Sequence, residues 1–308
     1  MNRNIKKALT FIGLTFLFNY LLVILYFAFG GKWVAPGSVI ITTAYMFIPM
    51  VTAIGVQKFI YKEPLKEPLG LSFKCNLWFF VAWLLPLVIA LSSFGISLLF
   101  SGVEFSPGME GFFEKLKSTV TSERLEEIRK QTTNWSTHPI WLGLFQGMAA
   151  GVTINMIAAL GQELGWRGLL QREMGYMGFW MSSTIIGVVW GLWHIPIILQ
   201  RQNSQLNPLM GVLMMVIFTI LISPIFSYIR ERAKSVIAAS VIHGTVNATI
   251  GLSVMLIKGG NELIAGVTGL AGFITLIIVN IGLLLYDRFL AKEPILNGKW
   301  SERYPNPS

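Results

Sequence analysis

Apolar residues recur along the chain in long unbroken runs, separated by short stretches that hold nearly all of the charge. The runs lie at about Leu9–Phe29, Ser38–Val56, Leu77–Phe100, Ile140–Leu160, Phe179–Leu199, Leu209–Ile229, Val236–Ile257 and Leu263–Tyr286. Each approaches the ~20 residues that a helix needs to cross the hydrocarbon of a bilayer. The pattern therefore predicts eight transmembrane helices. The first run follows a basic N-terminus but is too long for a signal-peptide core, so it reads as an uncleaved span. One long polar segment, about Ser101 to Pro139, separates the third run from the fourth. Within it, Met109–Lys130 carries Phe112, Phe113, Leu116, Val120, Leu125 and Ile128 at helical spacing among alternating charges. That spacing predicts one amphipathic helix lying at the membrane surface.

Composition sharpens this reading. The 308 residues are 54% hydrophobic and 13% charged, about half the charge of an ordinary soluble domain. A soluble globular enzyme is excluded. The single Cys75 excludes a disulfide framework, a Cys-rich zinc module and an iron–sulfur site. With the N-terminus inside, the inner segments hold 16 Lys and Arg and the outer segments 8. That bias places both termini in the cytoplasm. It also reads the net charge of +9 as charge facing anionic lipid, with no nucleic-acid footprint. The expected architecture is all-α: a single polytopic transmembrane domain over 1–308, about eight helices around a polar intramembrane cavity.

Ionisable groups within hydrocarbon are costly, and each is a candidate functional residue. Glu163 follows directly on the fourth run, His194 lies near the end of the fifth, and His243 lies within the seventh. Glu163 and Arg167 are spaced i,i+4, as are His243 and Asn247, so each pair shares a helix face. Gly147, Gly151, Gly187, Gly191 and Gly244 are small enough to let these helices approach closely. One cavity holding Glu163, His194, His243 and Asn247 satisfies the set, and the end position of Glu163 suggests that it opens toward the cytoplasmic half. A carboxylate with an imidazole can deprotonate water or share a metal. A second His and an Asn carboxamide can donate to an oxyanion. Hydrolysis of an amide bond fits, as do interhelical glue and a proton path in a transporter. Asn19 and Asn280 read as interhelical hydrogen-bonding residues. Trp141, Trp180, Trp193, Tyr61 and Tyr286 read as interfacial aromatics.

Three segments, Gln162-Glu163-x-x-x-Arg167, Trp190-x-x-x-His194 and His243-x-x-x-Asn247, resemble the motifs of the CAAX protease and bacteriocin-processing (CPBP, or Abi) family of intramembrane endopeptidases. That family reads E-E-x-x-x-R, F-x-x-x-H and H-x-x-x-N or D, and Gly165-Trp166-Arg167-Gly168 is typical of its bacterial members. The likeness covers about Ile140 to Ile257, a CPBP-like core at 140–257. It implies a membrane-embedded peptide or protein as substrate and a bacterial plasma membrane as location. It implies that His194 acts with the motif carboxylate on water, that His243 and Asn247 hold the oxyanion, and that Arg167 positions the motif helix. Members have been described both as metalloproteases and as glutamate-type proteases, and Glu163, His194 and His243 are the candidate Zn²⁺ ligands.

Two positions depart from the pattern. Trp190 replaces Phe, and Gln162 stands where the family has its first Glu, the water-activating carboxylate. A Gln amide cannot take a proton from water. Either the chain is a non-catalytic member that still binds peptides, or Glu163 serves as the base, or a Glu has been exchanged for Gln in a way that traps substrate.

Overall fold

The computed structural model describes residues 2–117, 120–133, 138–200 and 207–296. Arg201, Lys299 and Arg303, which enter the charge bias, lie outside them. Helices α1 (Arg3–Ala28), α2 (Gly37–Ile54, prolonged by a π-helical turn Gly55–Ile60) and α3 (Leu77–Ser97) form the first three spans. Strand β1 (Val103–Phe105) and the short helices α4 (Glu110–Leu116) and α5 (Ser122–Thr133) follow. Next come α6 (Pro139–Gly151), α7 (Ile154–Glu163), a π-helical turn Leu164–Leu170 and α8 (Gln171–Met174). Then come α9 (Phe179–Trp193), α10 (Ile195–Ile198), α11 (Pro208–Ala233) and α12 (Val236–Thr249). The chain continues with α13 (Leu252–Met255), strand β2 (Ile257–Gly259) and α14 (Leu270–Phe289). Seven of these helical stretches are long and apolar enough to cross a membrane, and an eighth is a pair bent by 47°. The all-α polytopic expectation holds.

The bent pair is the fourth run. Its helix breaks at Val152 and Thr153, where the central helix α12 crosses it. A Cβ on Gly244 of α12 would lie 2.6 Å from the Gly151 carbonyl oxygen. The approach of α9 to α11 likewise needs Gly187, whose Cβ would sit 2.7 Å from the Thr219 carbonyl oxygen. Gly151, Gly187 and Gly244, singled out in the sequence, thus mark close helix crossings. Helix α12 is the most enclosed span: 78% of its membrane window is buried, against 28% for α1.

Glu163 is not at the end of a span. Its helix continues through the buried turn Leu164–Leu170 to Met174. The polar string that reads as a helix exit is retained inside because Glu163 and Arg167 satisfy each other, while Trp166, Leu169 and Leu170 are fully buried beside them. The fifth run is one candidate span, Phe179–Ile198, with His194 at the junction of α9 and α10 and Pro196 in the first turn of α10. The irregularity in that span falls at His194.

The long polar segment is not a single surface helix. It splits into α4 and α5, and Met109, Phe113 and Leu125 are buried against Met255 and Leu256. Strand β1 pairs antiparallel with β2, Glu104 opposite Lys258. The apolar stripe is spent on α13 and β2 instead of on lipid. At the other end of the bundle, Glu63 joins α1, the end of α2 and α8 through Arg3, Lys7 and Arg172. There Asp287 holds the chain after α14 by accepting from the Ile295 and Leu296 amides.

Candidate active site

Glu163 is completely buried. Its Oε1 accepts from Arg167 Nη1 at 3.0 Å and from His243 Nδ1 at 2.7 Å. Its Oε2 makes no hydrogen bond within the described residues. Arg167, one turn on, also donates to Ser223 Oγ of α11 at 3.1 Å. Its guanidinium lies 4.7 Å from the ring centre of Trp190 and 5.1 Å from that of Phe226, a desolvated cation against two neighbouring aromatic rings. Both backbone and side chain therefore lock the carboxylate: the i,i+4 pair from its own helix, and Ser223 and the two rings from its neighbours.

His243 packs edge-on to Trp190 and tilted against Phe226. A carboxylate only accepts, so Nδ1 of His243 carries the proton, and the lone pair of the neutral ring resides on Nε2. His194 faces the same logic from its own helix. Its Nδ1 lies 2.8 Å from the Trp190 carbonyl, which again only accepts. Gln162, 3% exposed, accepts through Oε1 from the Trp190 indole at 3.1 Å.

Gln162, Trp190, His194, His243 and Asn247 all line one cavity of about 560 Å³. Its remaining walls are largely apolar, with Met46, Ile198, Met215, Phe218 and Ile222 among them. Glu163 and Arg167 lie behind the wall, reached through His243. The structure thus brings the sequence-selected residues together in two tiers. The cavity extends from Gln162 and His243 toward Ile198, Pro208, Gly251 and Ala265. That is the end of the bundle opposite Arg3 and Asp287. A cytoplasmic N-terminus and a cavity opening to the cytoplasm cannot both hold. The expectation of an inward opening rested on Glu163 ending a span, which it does not.

The candidate zinc set is not arranged as one. Glu163 Oε1 is occupied by Arg167 and the protonated nitrogen of His243, and the carboxylate does not line the cavity that both imidazoles line. Among the described residues no three His, Cys, Asp or Glu side chains form a group that could hold a metal. The donors as placed do not fit the ion. Asn19 and Asn280 act as interhelical links, to Tyr45 O and Leu221 O. Trp193, expected at an interface, is instead 1% exposed, with its indole on Asn19 and its ring in the cavity wall. Sequence reasoning missed Ser223 and Phe226. Ser223, a hydroxyl in mid-run ahead of Pro224, was the available signal.

A helical bundle that encloses two imidazoles, an ion pair and a cavity defines an integral membrane protein with its polar site inside the spans. The family model for type II CAAX prenyl endopeptidase, Rce1-like, matches residues 143–249, the segment that holds the site, so this part of the chain is similar to that family. No curated protein matches the chain.

Proposed function

We propose that the chain hydrolyses a peptide bond of a membrane-associated peptide or protein, with His243 as the base that activates water. The observation that carries this is the 2.7 Å contact between His243 Nδ1 and the buried Glu163 carboxylate. Such a carboxylate fixes the tautomer and stabilises the imidazolium that forms when Nε2 takes a proton. The water oxygen bonds to the scissile carbonyl carbon, and its proton passes to His243 Nε2. The carbonyl π pair moves onto oxygen, where the Asn247 carboxamide, on the same cavity wall, supplies a donor. Collapse of the oxyanion breaks the C–N bond, and His243 returns its proton to the leaving amine.

The roles implied by the motifs are redistributed in this reading: the carboxylate pairs with His243 and not with His194. The Lys and Arg bias supports cytoplasmic termini, and the cavity then serves the outer half of the bilayer. The residue at position 162 favours a second reading, a peptide-binding scaffold without catalysis. Purified protein incubated with a quenched fluorogenic peptide library separates the two. Cleavage that disappears in His243→Ala and His194→Ala supports the enzyme. A folded wild type that binds peptides and cuts none establishes the scaffold.

A further inference from the structure

Two side chains of the cavity wall, Gln162 and Trp190, are hydrogen-bonded to each other, and this fixes what Gln162 can do. An indole N–H only donates, so the atom that meets it at 3.1 Å is the carboxamide oxygen. The amide orientation follows from that partner. With the oxygen committed to Trp190, the –NH2 is the group that Gln162 offers to the cavity it lines. Trp190 is itself held on every side. Arg167 lies over its ring, the His243 ring meets its edge, and its carbonyl receives His194 Nδ1. It touches Gln162, Arg167, His194 and His243.

We infer that Gln162 is an oxyanion donor, a catalytic residue in the place of a base, and that Trp190 is the positioning residue that turns its –NH2 toward the substrate carbonyl. The inference rests on the endopeptidase reading above. As negative charge develops on the carbonyl oxygen, the Gln162 N–H strengthens a hydrogen bond to it, and no proton is transferred. Trp190 and Gln162 then work as one unit: indole without amide has nothing to aim, and amide without indole is free to turn its oxygen inward.

The test is steady-state cleavage of the best peptide from the fluorogenic library by the full-length protein, with kcat and KM measured separately. The variants are Gln162→Leu, Gln162→Glu, Trp190→Phe and Gln162→Leu with Trp190→Phe. Loss of one oxyanion donor costs about 10²- to 10³-fold in kcat, so Gln162→Leu is expected to lose that much with KM within ~3-fold. Trp190→Phe is expected to lose roughly 10-fold, and the double variant no more than Gln162→Leu alone, because both act through one amide. Gln162→Glu puts an acceptor where a donor is needed and is expected to lower kcat at neutral pH.

Retention of kcat by Gln162→Leu, a gain of activity in Gln162→Glu, or losses that multiply in the double variant overturns the inference and leaves the endopeptidase intact. A folded wild type that cuts nothing overturns both. Should Trp190→Phe fail to fold, Gln162→Leu and Gln162→Glu alone still decide the matter.

Discussion

Two glutamates in this protein, Glu63 partly buried and Glu163 fully so, are held in opposite ways. Glu63, where α2 ends, has both oxygens occupied: Arg3 on Oε1, and Lys7, Gln57 and Arg172 on Oε2. Lys7, itself 1% exposed, also reaches Glu173 at 2.9 Å. Glu163 concentrates Arg167 and His243 on one oxygen and leaves the other without a hydrogen bond among the described residues. A saturated carboxylate ties helices together. A half-satisfied one in a closed interior is costly to keep and signals a chemical task. Position along the chain does not distinguish the two, since both lie near the ends of apolar runs; the partners do.

Breaking the Glu163 side is expected to have the largest effect. His243→Ala removes the base and should lower single-turnover cleavage by about 10³-fold, within the range for a lost general base, with the protein still monodisperse and helical. Glu163→Gln should lower kcat by roughly 10²-fold or more, since the imidazolium loses its counter-charge. It should also lower thermal stability, because Arg167 is then buried without an ion-pair partner.

The Glu63 side should respond in stability alone. Lys7→Met removes one of the four partners of Glu63 and leaves the buried Glu173 only Arg172, at 3.8 Å; it is expected to cost about 3 kcal/mol, read as a fall in melting temperature with kcat per folded molecule unchanged. Burial pushes the Glu63 carboxyl up, but the Lys7 hydrogen bond and the charges of Lys7 and Arg172 outweigh it and hold its pKa below the ordinary range. The stability it contributes is therefore fully present above its unfolded value, ~4.3. It is lost as pH falls through the lower folded value. Melting temperatures taken on acidification should fall more steeply for the wild type than for Glu63→Gln. The smallest effect belongs to Arg3→Ala: Arg3 is 54% exposed, and a solvated pair of this kind contributes under ~1 kcal/mol.

Much of the architecture was legible because bilayer spans leave a crude and unmistakable mark, a long apolar run. The errors fell where polar residues were read as exits from the membrane. Glu163 and Arg167 look like a helix end until each is seen to satisfy the other inside the bundle. Phe112, Phe113 and Leu125 look like a lipid-facing stripe until α13 and β2 appear beneath them. The site was legible at the level of helical spacing: i,i+4 puts Glu163 beside Arg167 and His243 in line with Asn247. The Gln162–Trp190 bond joins residues 28 apart on different helices, and no local rule encodes it.

The sequence by itself determined that the chain lives in a membrane, how many times it can cross, which helix faces are polar, and which small residues permit close crossings. These follow from hydrophobic length and helical period, both local properties. Tertiary structure alone decided that Glu163 serves His243, that Trp190 spends the oxygen of Gln162, and that the cavity opens away from the N-terminal end. Those depend on where separate helices cross. The crossing is fixed by the fit of Gly244 against Gly151 and by the need of each buried polar atom to find a partner, which no run of neighbouring residues specifies.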